Sequence, residues 1–141
     1  MATLTTNVAR DYQLGEREDY PVVAADIIYQ GAAVGENGSG YARPLVAGDA
    51  FLGFAYEKAD NADGSAGDVL VNVRPASRVV LDVVGADITS NDRVAVYASD
   101  DATFTTTSTA NSLIGYVSHW ISGTTCVVQA DSGLVKAALQ A

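Results

Sequence analysis

Residues 68–74 read DVLVNVR and, beyond Pro75, residues 78–84 read RVVLDVV. In the first run Val69, Val71 and Val73 fall on one side of an extended chain, with Leu70, Asn72 and Arg74 on the other. In the second, Val79, Leu81 and Val83 share a side and Asp82 lies opposite. A period of two belongs to a strand with one face in a core, whereas a helix needs a period of about 3.6. Pro75 separates the two runs because proline cannot donate to a ladder.

The same grammar extends in both directions. RVAVYA (93–98) and ATFTT (102–106) flank Ser99-Asp100-Asp101, and SLIGYVSHWI (112–121) and TTCVVQA (124–130) flank Ser122-Gly123, which predicts two tight hairpins. Upstream lie AFLGFAYE (50–57), a hairpin around Glu36-Asn37-Gly38-Ser39-Gly40 with its Asn-Gly signal, and PVVAADIIY (21–29) as a first strand. Apolar runs alternate with turn clusters roughly every 8–12 residues, the spacing of a sandwich or barrel. Only LVKAALQ (134–140) suits a turn of helix, and it is too short to be stable alone. About nine or ten strands without crossover helices predict an all-β antiparallel β-sandwich of jelly-roll type, or a squat barrel. It spans residues 21–132, with a short C-terminal tail over 133–141.

Residues 1–20 differ. Leu4, Val8, Tyr12, Leu14 and Tyr20 are isolated among polar neighbours. The segment is either an irregular edge of the domain or an extended arm that orders against a partner, since apolar residues this sparse build no core. The reading leans to the arm, whose five apolar residues are then the candidate contacts. The segment has neither a basic start nor a continuous apolar run, so no signal peptide is expected.

Composition bounds the function. The 141 residues are 48% hydrophobic, enough for a core, and rich in Val, Ala, Thr and Gly, which suits sheets and tight turns. A formal charge of −9 argues against nucleic acid as a partner, because phosphate binding relies on Lys and Arg. It equally disfavours anionic membranes, and no apolar stretch approaches the roughly 20 residues of a membrane span. The single Cys126 cannot form an internal disulfide and reads as a small buried hydrophobe, consistent with a reducing cytoplasm.

Chemistry is sparse. His119 is the only histidine and alternates with Val117 and Ile121 along a strand beside Trp120, where a structural or surface role outweighs a catalytic one. One His and one Cys cannot supply a zinc site. The turn from Asp60 to Asp68 fails the EF-hand test: counting from Asp60, positions 3, 5 and 12 are Ala62, Gly64 and Val71. A looser cation site from Asp60, Asp63 and Asp68 stays open beside the reading of plain turn-formers. Gly35 to Gly40 lacks the Lys-Ser/Thr of a phosphate loop. The pair Asp100-Asp101 lies in a turn, and Phe54 with Tyr56, like Ile114 with Tyr116, reads as one strand face used for packing. No enzyme, cofactor or metal is expected.

The order of motifs resembles a family. GDAFLGFAYEKADNADGSAGDVLVNVR (48–74), RVVLDVVGADI (78–88), DRVAVYASDDATFTT (92–106) and SLIGYVSHWISGTTCVVQAD (112–131) look like the cement, or head-decoration, proteins of tailed bacteriophages. The most specific parts are F-x-G-F at 51–54, D-N-x-D-G-x-x-G at 60–67, the VAVYASDDATFTT hairpin and Gly115-Tyr116-Val117. The resemblance covers roughly residues 20–131 and implies a homo-oligomer, dimer or trimer, on the exterior of a virion. Its partner is then a shell of major capsid proteins with the HK97-like fold. A carbohydrate- or peptide-binding β-sandwich module is the competing reading.

Overall fold

The computed structural model describes residues 6, 7, 9 and 16–140. Twelve strands and one α-helix follow in order. The first half holds β1 (Glu18–Pro21), β2 (Asp26–Ile28), β3 (Ala33–Glu36), β4 (Ala42–Pro44), β5 (Ala50–Ala55), β6 (Ala59–Asn61) and β7 (Leu70–Arg74). The second holds β8 (Ala76–Val84), β9 (Ala95–Ala98), β10 (Phe104–Thr105), β11 (Ser112–Ser122) and β12 (Thr125–Asp131), closed by α1 (Ser132–Gln140). The chain is all-β with antiparallel sheets, as its period predicts.

The second half is a closed five-stranded barrel in the order β10-β8-β12-β11-β9. Every neighbouring pair in it is antiparallel except β10 with β8, where Phe104 and Thr105 run parallel to Val83 and Val84. A barrel this small is filled by its own side chains. Val83, Val96, Ile114, Val117, Cys126 and Val128 fill it here. The first half is a sheet in the order β1-β7-β5-β3-β4, with β2 and β6 paired separately. It curls until Val22, just past β1, bridges Ala42 of β4. Val34, Ala42, Val71 and Val73 are buried within that curl, with Val22 and Ile28.

F-x-G-F shows how the halves join. Along a regular strand Phe51 and Phe54 would face opposite ways. Opposite β3, however, Val34 pairs with Gly53 and Gly35 with Phe51, so Leu52 is an inserted residue and β5 carries a bulge. The extra residue turns both rings into the barrel core, edge to face at 5.6 Å, and Phe54 meets Phe104 at 5.8 Å. Gly53 takes φ +141, and a Cβ there would lie 2.3 Å from the Arg74 carbonyl oxygen.

Bulges and turns also explain where the strand pattern misleads. The run 21–29 is not one strand: Ala25 adopts φ 56 and gives its N–H to the Gly64 carbonyl, turning the chain between β1 and β2. Tyr56 lies past the end of β5 and is 40% exposed, so it does not share the buried face of Phe54. Register shifts in β11 fall on both sides of Tyr116. They leave Ile114 and Val117 buried, Tyr116 half-buried, and His119 and Ile121 exposed.

Candidate interaction surfaces

The motif at 60–67 is a turn built around one buried amide. Asn61, 2% exposed at the end of β6, directs its Nδ2 at the carbonyls of Val23 and Ser65, both at 3.0 Å, with Val22 O at 3.5 Å. Asp60 accepts from Ala62 N and Asp68 from Ser65 N, the backbone-mimicking bonds that make Asp and Asn turn residues. Among the described residues no three His, Cys, Asp or Glu side chains gather closely enough to hold a metal ion. The carboxylates of Asp60 and Asp68 are thus engaged by the turn's own backbone.

Asp100 and Asp101 lie in the β9–β10 hairpin. The Asp100 carboxylate accepts from Ala102 N at 2.8 Å, which holds its pKa below the usual value, while burial, followed by the charge of Asp100, pushes Asp101 up. Cys126 is fully buried in the barrel, and burial pushes its thiol up as well. The indole of Trp120 packs partly on the barrel core and donates its Nε1–H to Gly123 O at 2.9 Å.

Of the five N-terminal candidates, Leu4, Val8, Tyr12 and Leu14 lie outside the described residues. Tyr20 is in β1, opposite Val71 of β7, packed against the curl of the first sheet. Its hydroxyl donates to Glu18 Oε2. Burial first, then that bond and the Glu18 charge, push its pKa up to about 12. Tyr20 is thus a member of the sheet.

Two exposed tyrosines bear on sugar binding. The Tyr56 ring lies under the guanidinium of Arg17 at 4.1 Å and of Arg74 at 5.0 Å, and Lys58 lies 5.3 Å from the centre of the Tyr29 ring. Cation–π pairs of this kind occupy ring faces that a sugar platform would need free.

Two further surfaces stand out among the described residues, besides the sheet edge at β1. One is a groove of about 750 Å³ between the start of β5, the β9–β11 face and α1, lined by Leu52, Tyr97, Leu113, Val135, Lys136 and Leu139. The other is the free edge of β8, paired with β12 from Ala76 to Asp82 but with β10 only at Val83 and Val84. The sequence signals the exposed side of β8 through its period, but not that β10 reaches only the last residues of the strand among the described residues. Among the described residues no helix is long and apolar enough to cross a membrane. Comparison with protein-family models, with curated proteins and with solved structures gave no match.

Proposed function

We propose that this chain is a capsid cement protein that binds the outer surface of a shell of HK97-like major capsid proteins and braces the head of a tailed phage. One observation carries the reading. The motifs that resemble the cement family are the parts that make the frame rigid: the bulge at Gly53 and the amide-centred turn at Asn61. They leave strand edges free for partners. Every described strand is short except β8 and β11, and the sheet is entered through β1 at its edge. Residues preceding Glu18 therefore lead from a sheet edge, the position from which a segment can add to a strand of a neighbouring protein.

The role is mechanical. Packed DNA pushes a capsid outward, and a clip across adjacent subunits raises the barrier to their separation. Each contact is modest, and repetition over the lattice makes the sum large. A charge of −9 suits the exterior better than the DNA-facing side.

The test is co-sedimentation of the purified protein with undecorated phage shells. Saturable binding and a higher disruption temperature of the shells are expected. Deleting residues 2–15, which leaves β1 intact, is expected to weaken attachment without unfolding the domain. Failure to bind any shell, together with saturable binding to a glycan array, would replace this reading with that of an accessory binding module.

A further inference from the structure

Asp and Glu outnumber Lys and Arg by 17 to 8, so carboxylate partners for a cation are plentiful in this chain. Arg43 takes one, with its Nη2 2.7 Å from Asp49 Oδ1. Arg17, Lys58 and Arg74 instead gather on two exposed tyrosines. Three backbone registers bring them together. Strand β1 pairs Glu18 with Val73 of β7, which sets Arg17 alongside Arg74. The pairing of β5 with β7 continues until Tyr56 N donates to Asn72 O, so Tyr56 emerges beside both. The pairing of Ile28 with Ala59 sets Tyr29 next to Lys58, and Gln30 Nε2 donates to Tyr56 O at 3.3 Å, tying the two tyrosines into one patch.

The guanidiniums of Arg17 and Arg74 lie 4.1 and 5.0 Å from the centre of the same Tyr56 ring. Like charges held this close repel, and the negative face of the ring offsets only part of that. Among the described residues one carboxylate answers them. Glu16 Oε2 stands 3.6 Å from Arg74 Nη1, beyond hydrogen-bond length, on a side chain 85% exposed. So loose and exposed a pair contributes little. Of the bordering carboxylates, Glu18 accepts from the Tyr20 hydroxyl and Asp19 from Asn72 Nδ2, while exposed Glu57 forms no ion pair. Arg17 and Lys58 likewise have no ion pair among the described residues.

We propose that this patch binds a short acidic segment of a partner protein, whose carboxylates take the place of Glu16. A guanidinium stacked on a ring keeps its N–H edge free, and that planar fork matches a carboxylate through two parallel bonds. Tyr and Arg are also the residues that carry most of the energy of protein interfaces. Here Tyr29 and Tyr56, 58% and 40% exposed, offer ring surface for the partner to cover. The overall charge of −9 selects the kind of anion. It repels nucleic acid along its whole length, whereas a short segment at physiological salt feels only charges within roughly 8 Å. The surface does not rest on the capsid reading.

The probe is a fluorescein-labelled peptide of about ten residues alternating Asp and Thr. Its anisotropy is followed as the purified full-length chain is added to about 500 µM, and saturable binding with a dissociation constant on the order of 10–100 µM is expected. Arg17→Gln and Arg74→Gln should each raise that constant roughly 10-fold. Tyr56→Leu keeps every charge but removes the ring that aligns both guanidiniums, and should raise it roughly 3- to 5-fold. Arg93→Gln removes an equal charge from above the Tyr116 ring in the barrel and should change nothing. Near-UV circular dichroism establishes that each variant is folded. Absence of saturable binding overturns the inference, as does an equal loss in Arg93→Gln or an unchanged affinity in Tyr56→Leu. Equal binding of a peptide alternating Asn and Thr, or tighter binding of a single-stranded oligonucleotide of the same charge, does so too. Binding that appears only once residues 2–15 are deleted would assign the surface to the chain's own N-terminal segment and equally overturn it.

Discussion

Gly53 has no room for a side chain: its φ of +141 disfavours any L-residue, and a Cβ would meet the Arg74 carbonyl oxygen at 2.3 Å. Gly53→Ala is therefore expected to cost about 2–3 kcal/mol in urea unfolding. Gly31→Ala is the control, since Gly31 also has positive φ but nothing within 4 Å of the added carbon. It should cost about 1 kcal/mol, and equal losses for the two would show that the contact with Arg74 is unimportant. Tyr20 gives a pH prediction at the same scale. Its folded pKa of about 12 lies above the ordinary 10.0, so the folded state favours the neutral phenol. That contribution is fully present below pH 10 and is lost as pH rises toward 12. Wild type should lose more stability than Tyr20→Phe between those two pH values. Parallel losses would mean that burial does not hold the phenol neutral. Neither residue's role was legible in the sequence. F-x-G-F is visible as a motif, but the insertion of Leu52 depends on how β3 pairs, and Tyr20 reads as part of an arm because its partner, Val71, lies far along the chain.

At the scale of elements, hairpins were readable and closures were not. The β3–β4, β9–β10 and β11–β12 hairpins form where Asn37-Gly38, Ser99 to Asp101 and Ser122-Gly123 place turns, because those contacts are local. The parallel pairing of β10 with β8 rests on two residues of each and joins runs about twenty residues apart, so no local signal announces it. The helix was half legible. The run 134–140 was readable as a turn of helix, but the start belongs to Asp131, whose Oδ1 accepts from Leu134 N at 3.0 Å as an N-cap. Helix α1 then runs from Ser132 to Gln140, with Val135 buried in the barrel core, and that tertiary contact is what stabilises so short a helix. Asp131→Ala is expected to cost about 1 kcal/mol and Asp131→Asn very little, since either Asp or Asn caps well. Thermal melts of the two variants check this, and similar losses in both would point to the charge instead of the cap.

For the whole molecule the question is whether barrel and sheet are one unit. The sequence gives no direct answer, since both halves carry the same strand period. In the structure the core of the barrel is not made by the barrel alone: Ala33, Leu45, Phe51 and Phe54 come from the first half and pack with Phe104, Ile114 and Val128 of the second. The ring of Phe54 against that of Phe104, at 5.8 Å, links the sheet to the short strand that closes the barrel. Opening either half thus exposes apolar surface of the other, and the chain is expected to unfold in a single cooperative transition, seen alike by fluorescence of Trp120 and by far-UV circular dichroism. Phe54→Ala and Phe104→Ala should each cost about 3–4 kcal/mol. The double variant should fall short of their combined loss by roughly 1 kcal/mol, the coupling of an aromatic pair that is removed only once. Strict additivity, or two transitions of which Phe54→Ala shifts only one, would mean that the halves stand independently. A brace made of independent halves would yield at the joint under load, so this coupling is also what the proposed role on a pressurised shell requires.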